Sequence, residues 1–468
     1  MNKTTFYLFI FVLVGCQVNE KKSDRAFFSG EIVNPTNDYI VLYKDEEVVD
    51  SALLDENNRF VLQLDSVEEG LYHFDHSPEL QYVYLGKGDS ILIRLNTSDF
   101  DESLVFSGTG EEINNFLLEM FLAFEEEDSL INSLYELEPA PFATAVDSLR
   151  MAKHSLLTGL EKDIALSDKA KELATANIDY TYYAYFEKYP FKHRRKVGDK
   201  LIHDLPADFY GYRKNVDYNN ANLSYFRPYY NYMIFNMGNM SYMECLDGCP
   251  SATEKIASRL HFNLHKLKLI DSLVKDGALR DNLFRNVALD YLLKARDNST
   301  NNTAFITDFR QRSAGNKHKN EIDRLYNGIQ GIQPDSPLPD VTLHNIADKT
   351  YSLREVANDG KVVFYFWSGL LMPHFMSINQ KVEELKLKHP DYEFIGISYK
   401  TDLPQWKGLL QNYGLDPKEQ FLSTDFEELT NSLIVYPLNK CMVVHDGKIV
   451  DGFADIHSLF RQGYPTLQ

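Results

Sequence analysis

The hydrophobic period of this 468-residue chain changes twice, and those two changes limit what it can fold into. Between residues 27 and 107, short β-branched and aromatic runs divided by turn signals carry a period of two. From about 111 to 330 the period is helical, and beyond a cluster of prolines strands and helices alternate. Three segments of unlike period, each long enough for its own core, predict a multidomain chain. The expected units are a β-sandwich at 27–110, an α-helical domain at 111–330 and an α/β domain at 334–468.

Within the first segment, Phe60, Leu62 and Leu64 alternate with Val61 and Gln63, so one face of that strand should be buried. Tyr82–Leu85 and Ile91–Leu95 flank Gly86-Lys87-Gly88-Asp89, which reads as a hairpin turn. In the second, Ile113, Phe116, Leu117, Met120 and Phe124 share one helical face, and Phe284, Val287, Ala288, Tyr291 and Leu292 repeat the pattern. Ser251 and Glu254, after Pro250, have capping-box spacing. Tyr180, Tyr182, Tyr183, Tyr185, Phe186 and Tyr189 are too dense to point outward from one helix, so most should be core. Gln333–Pro339, with three prolines, reads as a stiff linker.

The first residues bear on the compartment. Lys3 precedes the apolar run Phe6–Val14, which is too short to span a bilayer but suits a signal-peptide core. Leu13-Val14-Gly15-Cys16 resembles a bacterial lipobox, which implies a signal peptide at 1–16, lipidation of Cys16 and a polar tether at 17–26. No other stretch is apolar enough to cross a membrane, so the expectation is a lipoprotein of the cell envelope, tethered to the outer membrane through its lipid. A net charge of −20 argues against a nucleic-acid partner. The one dense basic run, His193–Lys196, reads as a helix end.

The last segment carries six motifs in a telling order. They are Pro339-Asp340-Val341-Thr342-Leu343, Tyr351-Ser352-Leu353, Val362–Ser368, Phe394–Ser398, Tyr436-Pro437 and Val443–Val450. Together they resemble the TlpA/ResA-type thioredoxin-like domains of envelope lipoproteins. The resemblance implies that Val362–Ser368 is the strand delivering the active site and that Pro437 is the cis-proline of a substrate-holding loop. Asp50-Ser51, Asn58-Arg59-Phe60 and Phe106–Gly110 are similar to features of the β-rich domain of unknown function that often precedes such domains.

That family works through a Cys-x-x-Cys at a helix N-terminus, where the first thiol is ionised and attacks a disulfide. Aligned on Trp367 and Pro373, the four positions here hold Leu371, Met372, Pro373 and His374. Leucine is no nucleophile and imidazole closes no disulfide, so the domain is expected to be redox-inactive. Cys441 lies past Pro437 on an expected core strand, about 13 Å from the loop, and reads as a buried core cysteine. For His374 the plainer reading is a first-turn surface histidine. The sharper one is a neutral imidazole that helps grip a peptide beside Trp367, Tyr436 and Pro437.

One further constellation stands outside these motifs. Met233, Met237, Met240 and Met243 run into Cys245 and Cys249. Their aromatic neighbours favour core packing for the methionines, with Met237, Met240 and Met243 as a weaker Cu(I) alternative. For Cys245 and Cys249 a local disulfide comes first, a metal site second and a redox pair third. No catalytic residue, cofactor or resident metal is expected. The function expected is a lipid-anchored envelope protein whose redox-silent domain binds a peptide or protein partner or acts as a scaffold. Two alternatives stand beside it: an oxidoreductase relative using Cys245 and Cys249, and a Cu(I)-binding envelope protein.

Overall fold

The computed structural model describes residues 24–77, 79–199, 202, 205–249, 259–294, 297–358 and 360–460. The expected signal peptide, Cys16 and nearly all of the tether lie outside them, as do Ser251 and Glu254. Among the described residues no helix is long and apolar enough to cross a membrane.

Two compact units emerge. The first takes the described residues up to Asn215 together with Tyr225–Tyr232, and the second takes Val216–Ser224 and the residues from Met233 onward. The first unit begins with strands β1 (Ala26–Val33), β2 (Tyr39–Lys44), β3 (Glu47–Leu53), β4 (Arg59–Leu64), β5 (Gly70–His76), β6 (Glu79–Leu85), β7 (Ser90–Asn96) and β8 (Val105–Thr109). They form two four-stranded sheets, ordered β4-β1-β7-β8 and β3-β2-β5-β6. Alternation decides the inner faces: Phe60, Leu62 and Leu64 are buried on β4, and Ile91, Ile93 and Leu95 on β7. Phe28 of one sheet meets Phe74 of the other with ring centroids 5.3 Å apart, inside a single apolar core.

The expected hairpin at Gly86–Asp89 is not one, because β6 and β7 belong to different sheets. The Asp89 carboxylate accepts from the Gly86 amide at 2.7 Å, and its carbonyl accepts from the Phe27 amide at 2.9 Å. The turn thereby hands the chain from one sheet to the other. A Cβ on Gly110, at φ 94°, would stand 2.6 Å from that carboxylate, so the position needs glycine.

Helices α1 (Phe100–Ser103), α2 (Glu111–Leu134), α3 (Pro139–Asp163) and α4 (Asp168–Val197) follow in the same unit. Ile113, Phe116 and Met120 are buried on α2. On α4, Tyr180, Tyr182, Tyr183, Phe186 and Tyr189 are buried, as their density required. The basic run closes α4 before the left-handed Gly198, where cations suit the helix C-terminus.

The second unit holds the greater part of α5 (Arg227–Gly248), then α6 (Arg259–Leu273), α7 (Gly277–Lys294), α8 (Ser299–Arg312) and α9 (Lys319–Gly331). Its α/β part comprises β9 (Thr342–His344), β10 (Thr350–Ser352), α10 (Leu353–Ala357), β11 (Lys361–Trp367), α11 (Met372–Lys388), β12 (Glu393–Ser398), α12 (Leu403–Tyr413), β13 (Gln420–Leu422), α13 (Phe426–Leu433), β14 (Lys440–His445) and β15 (Lys448–Asp455). The sheet order is β10-β9-β13-β12-β11-β14-β15. β12 runs parallel to β11 and β13, while β14 runs antiparallel to β11. Val362–Trp367 is buried throughout, as expected of a strand covered on both faces.

The helical stretch expected as one domain is therefore divided, and its later helices join the α/β part. Close backbone approach explains this. A Cβ on Gly328 of α9 would meet the Asn431 carbonyl at 2.1 Å, and one on Gly452 of β15 would meet the Ile332 carbonyl at 2.1 Å. The proline segment, read as a stiff linker, is tied to the final hairpin: the amides of Asp335 and Leu338 donate to the carbonyls of Ile449 (2.8 Å) and Gly447 (3.0 Å).

Candidate functional site

Two places in the second unit gather chemistry-bearing side chains. The first is the start of α11, directly after β11. Leu371 is the N-cap and offers no oxygen to the free amides of the first turn, while Pro373 sits in the first turn, where its missing N–H is harmless. Leu370 and Leu371 are exposed (66% and 44%). Trp367, by contrast, is buried against Phe375, with ring centroids 4.8 Å apart.

His374 is not at the surface. In the first turn of α11 the residue is only 8% exposed, and neither ring nitrogen has a hydrogen-bond partner of normal geometry. Burial holds its pKa below the usual histidine value, the Leu438 backbone opposes that, and His457 adds to it. The imidazole is therefore held toward its neutral form, buried at the start of α11 beside the Leu438 backbone.

A buried polar chain that sequence reasoning missed links β11, β13 and α11. Trp367 Nε1 donates to Gln420 Oε1 (3.1 Å), Gln420 Nε2 donates to Tyr365 Oη (2.7 Å), and Tyr365 Oη donates to Asn379 Oδ1 (3.2 Å). Burial pushes the Tyr365 hydroxyl up to about 12, so it stays protonated as a donor. Gly396 makes room, since a Cβ there would lie 2.2 Å from Gln420 Oε1.

The loop facing α11 is held from below. The Tyr436–Pro437 peptide is cis. Ile434 adopts φ 52°, unusual for a β-branched residue, and the buried Lys440 ammonium donates to the carbonyls of Leu433 and Ile434. Lys440 N also donates to Pro437 O at 2.9 Å. Tyr436 and Leu438 remain exposed (41% and 46%). Cys441 is buried on β14, paired in register with Tyr365.

The second place lies between α5 and α6. Cys245 and Cys249 are not joined in a disulfide. The Cys249 amide donates to the Cys245 carbonyl at 3.2 Å, so the two follow each other by one helical turn on the same side. The disulfide expected first for the pair is not formed here; both stand as free thiols. His261 and His265 of α6, also one turn apart, face them. Cys249 Sγ is 3.3 Å from His261 Nε2 and 3.5 Å from His265 Nε2, and Cys245 Sγ is 3.2 Å from His261 Nε2. All four donor atoms lie within 4.8 Å of one another.

Sequence reasoning named the cysteines and overlooked the histidines. The signal was present as Cys245-x3-Cys249-x11-His261-x3-His265, two pairs at one-turn spacing. Three of the methionines are otherwise placed: Met233 and Met237 are buried in the core, and Met240 Sδ accepts from the Tyr218 hydroxyl at 3.8 Å.

No family model matches the chain, and no curated protein does. Solved structures similar to part of it are thioredoxin-like. The thioredoxin domain of a thiol-disulfide oxidoreductase from Bacteroides vulgatus is 18% identical, with 25% of this chain and 86% of that one covered and a TM-score of 0.22. A secreted disulfide oxidoreductase of Mycobacterium tuberculosis is 14% identical, with 23% and 78% covered and a TM-score of 0.20.

Proposed function

We propose that the chain is a lipid-anchored envelope protein whose thioredoxin-like domain is redox-silent and holds a polypeptide segment instead of exchanging a disulfide. The observation that carries this reading is the composition of the α11 start. Leu370 and Leu371 are exposed at the start of α11, Tyr436 and Leu438 are exposed on the loop of Pro437, and the buried His374 imidazole, beside the Leu438 backbone, links the two. Such a surface suits apolar side chains of an extended peptide. Lys440 and the polar chain beneath Trp367 keep it rigid, which lowers the ordering cost of binding. Anchoring rests on Leu13–Cys16 alone.

The test uses the full chain and two forms of one substrate. Intact insulin should not be reduced above background, whereas the carboxymethylated, thiol-free insulin B chain should bind, and Leu371→Asp with Tyr436→Asp should weaken that binding at least tenfold. Reduction of insulin by the native chain would overturn the redox-silent reading. Equal binding by the native and doubly substituted chains would overturn the peptide-holding one.

A further inference from the structure

We infer that Cys245, Cys249, His261 and His265 form a structural zinc site that clamps α5 to α6. Four donors of two kinds converge, Cys245 on α5 and Cys249 one residue past its end, His261 and His265 one turn apart on α6. In a tetrahedral site with Zn–S near 2.3 Å and Zn–N near 2.0–2.1 Å, neighbouring sulfur and nitrogen ligands lie about 3.5 Å apart. The observed Sγ to Nε2 separations are 3.2, 3.3 and 3.5 Å, close to those tetrahedral edges.

Hydrogen bonding does not account for the arrangement. His261 Nε2 is within 3.3 Å of both sulfurs, and one ring nitrogen offers either a single hydrogen or a single lone pair. Shared between two sulfurs it makes a weak three-centre contact at best. A cation at the centre satisfies every contact at once.

The donor set selects the metal. Two thiolates with two imidazoles in a tetrahedral array suit Zn²⁺, whereas a Cu(I) site built on thioethers would draw on the methionines. Met237 is instead buried in the core and Met240 is engaged by Tyr218. Because the protein fills all four positions, no ligand position is left open for water or substrate, and the site is structural. On binding, each thiol gives up its proton to solvent and forms a bond to zinc, with no electron transferred. This accounts for the cysteine pair without redox work and is independent of what the α11 start binds.

The full chain, purified under reducing conditions without chelator, should carry about one zinc per molecule by plasma mass spectrometry. Cys245→Ser with Cys249→Ser should lower that at least tenfold, and so should His261→Gln with His265→Gln. Should either variant fail to fold, the native chain decides alone. Stripped of metal and titrated with Co²⁺, it should develop tetrahedral ligand-field bands and thiolate charge-transfer absorption, and bound metal should shield both thiols from alkylation. A folded, reduced native chain that takes up neither zinc nor cobalt would overturn the inference. Full zinc occupancy in a folded double-cysteine variant would overturn it as well, and so would a native chain isolated with Cys245 and Cys249 oxidised to a disulfide and no metal.

Discussion

Replacing His374 with leucine should strengthen the second unit. The imidazole is 8% exposed, with neither nitrogen in a hydrogen bond of normal geometry and only a marginal contact to the Leu438 backbone. Leaving a buried polar group without its partner costs about 1–3 kcal/mol, and an apolar residue of similar volume removes that penalty. The change of shape in a packed core returns up to about 1.5 kcal/mol, so the net gain should be near 1 kcal/mol. A pH dependence separates this cause from simple repacking. Burial lowers the folded-state pKa of His374 below the ordinary 6.5, so protonation favours the unfolded chain. The native contribution is therefore intact above the unfolded value and falls as pH drops from there toward the lowered folded value. For one proton the slope is at most about 1.4 kcal/mol per pH unit. Both tryptophans, Trp367 and Trp406, lie in the second unit, so their fluorescence during urea unfolding reports that unit alone. At about pH 7.5 the variant should exceed the native chain by near 1 kcal/mol, and at about pH 5.5 the margin should widen. A variant weaker by more than about 2 kcal/mol at both pH values, with an unchanged m-value, would mean that the imidazole makes hydrogen bonds worth keeping, and the reasoning fails.

Gly328→Val should destabilise the second unit by about 1–3 kcal/mol in the same assay, because its Cβ would press on the Asn431 carbonyl; a neutral result would deny the α9–α13 approach. Restoring thiols with Leu371→Cys and His374→Cys should create a reducible disulfide at the α11 start, detectable by mass shift after alkylation, and its failure to form would count against matching these positions to the family's pair. Cys16→Ser should move the chain out of the membrane fraction and abolish palmitate labelling; an unlabelled native chain would remove the case for anchoring.

What the chain declares by itself is local. Period two on Phe60–Leu64 and the apolar run Val362–Trp367 act over a few residues, so the strands fall where the sequence predicts them. The absence of cysteine at residues 371–374 is equally a matter of reading the chain. Tertiary packing decided the rest. The turn at Asp89 passes between sheets because its carboxylate and carbonyl meet partners on either side, and no turn dipeptide encodes that choice. The seam lies inside the helical stretch because Gly328 and Gly452 admit backbones distant in sequence. His374 is buried because the loop around Leu438 folds back over α11. Cys245 and Cys249 meet His261 and His265 because the fold brings the end of α5 beside the start of α6. The spacing of each pair was written in the sequence, but convergence of four donors within 4.8 Å depends on how two helices pack, which no local pattern specifies.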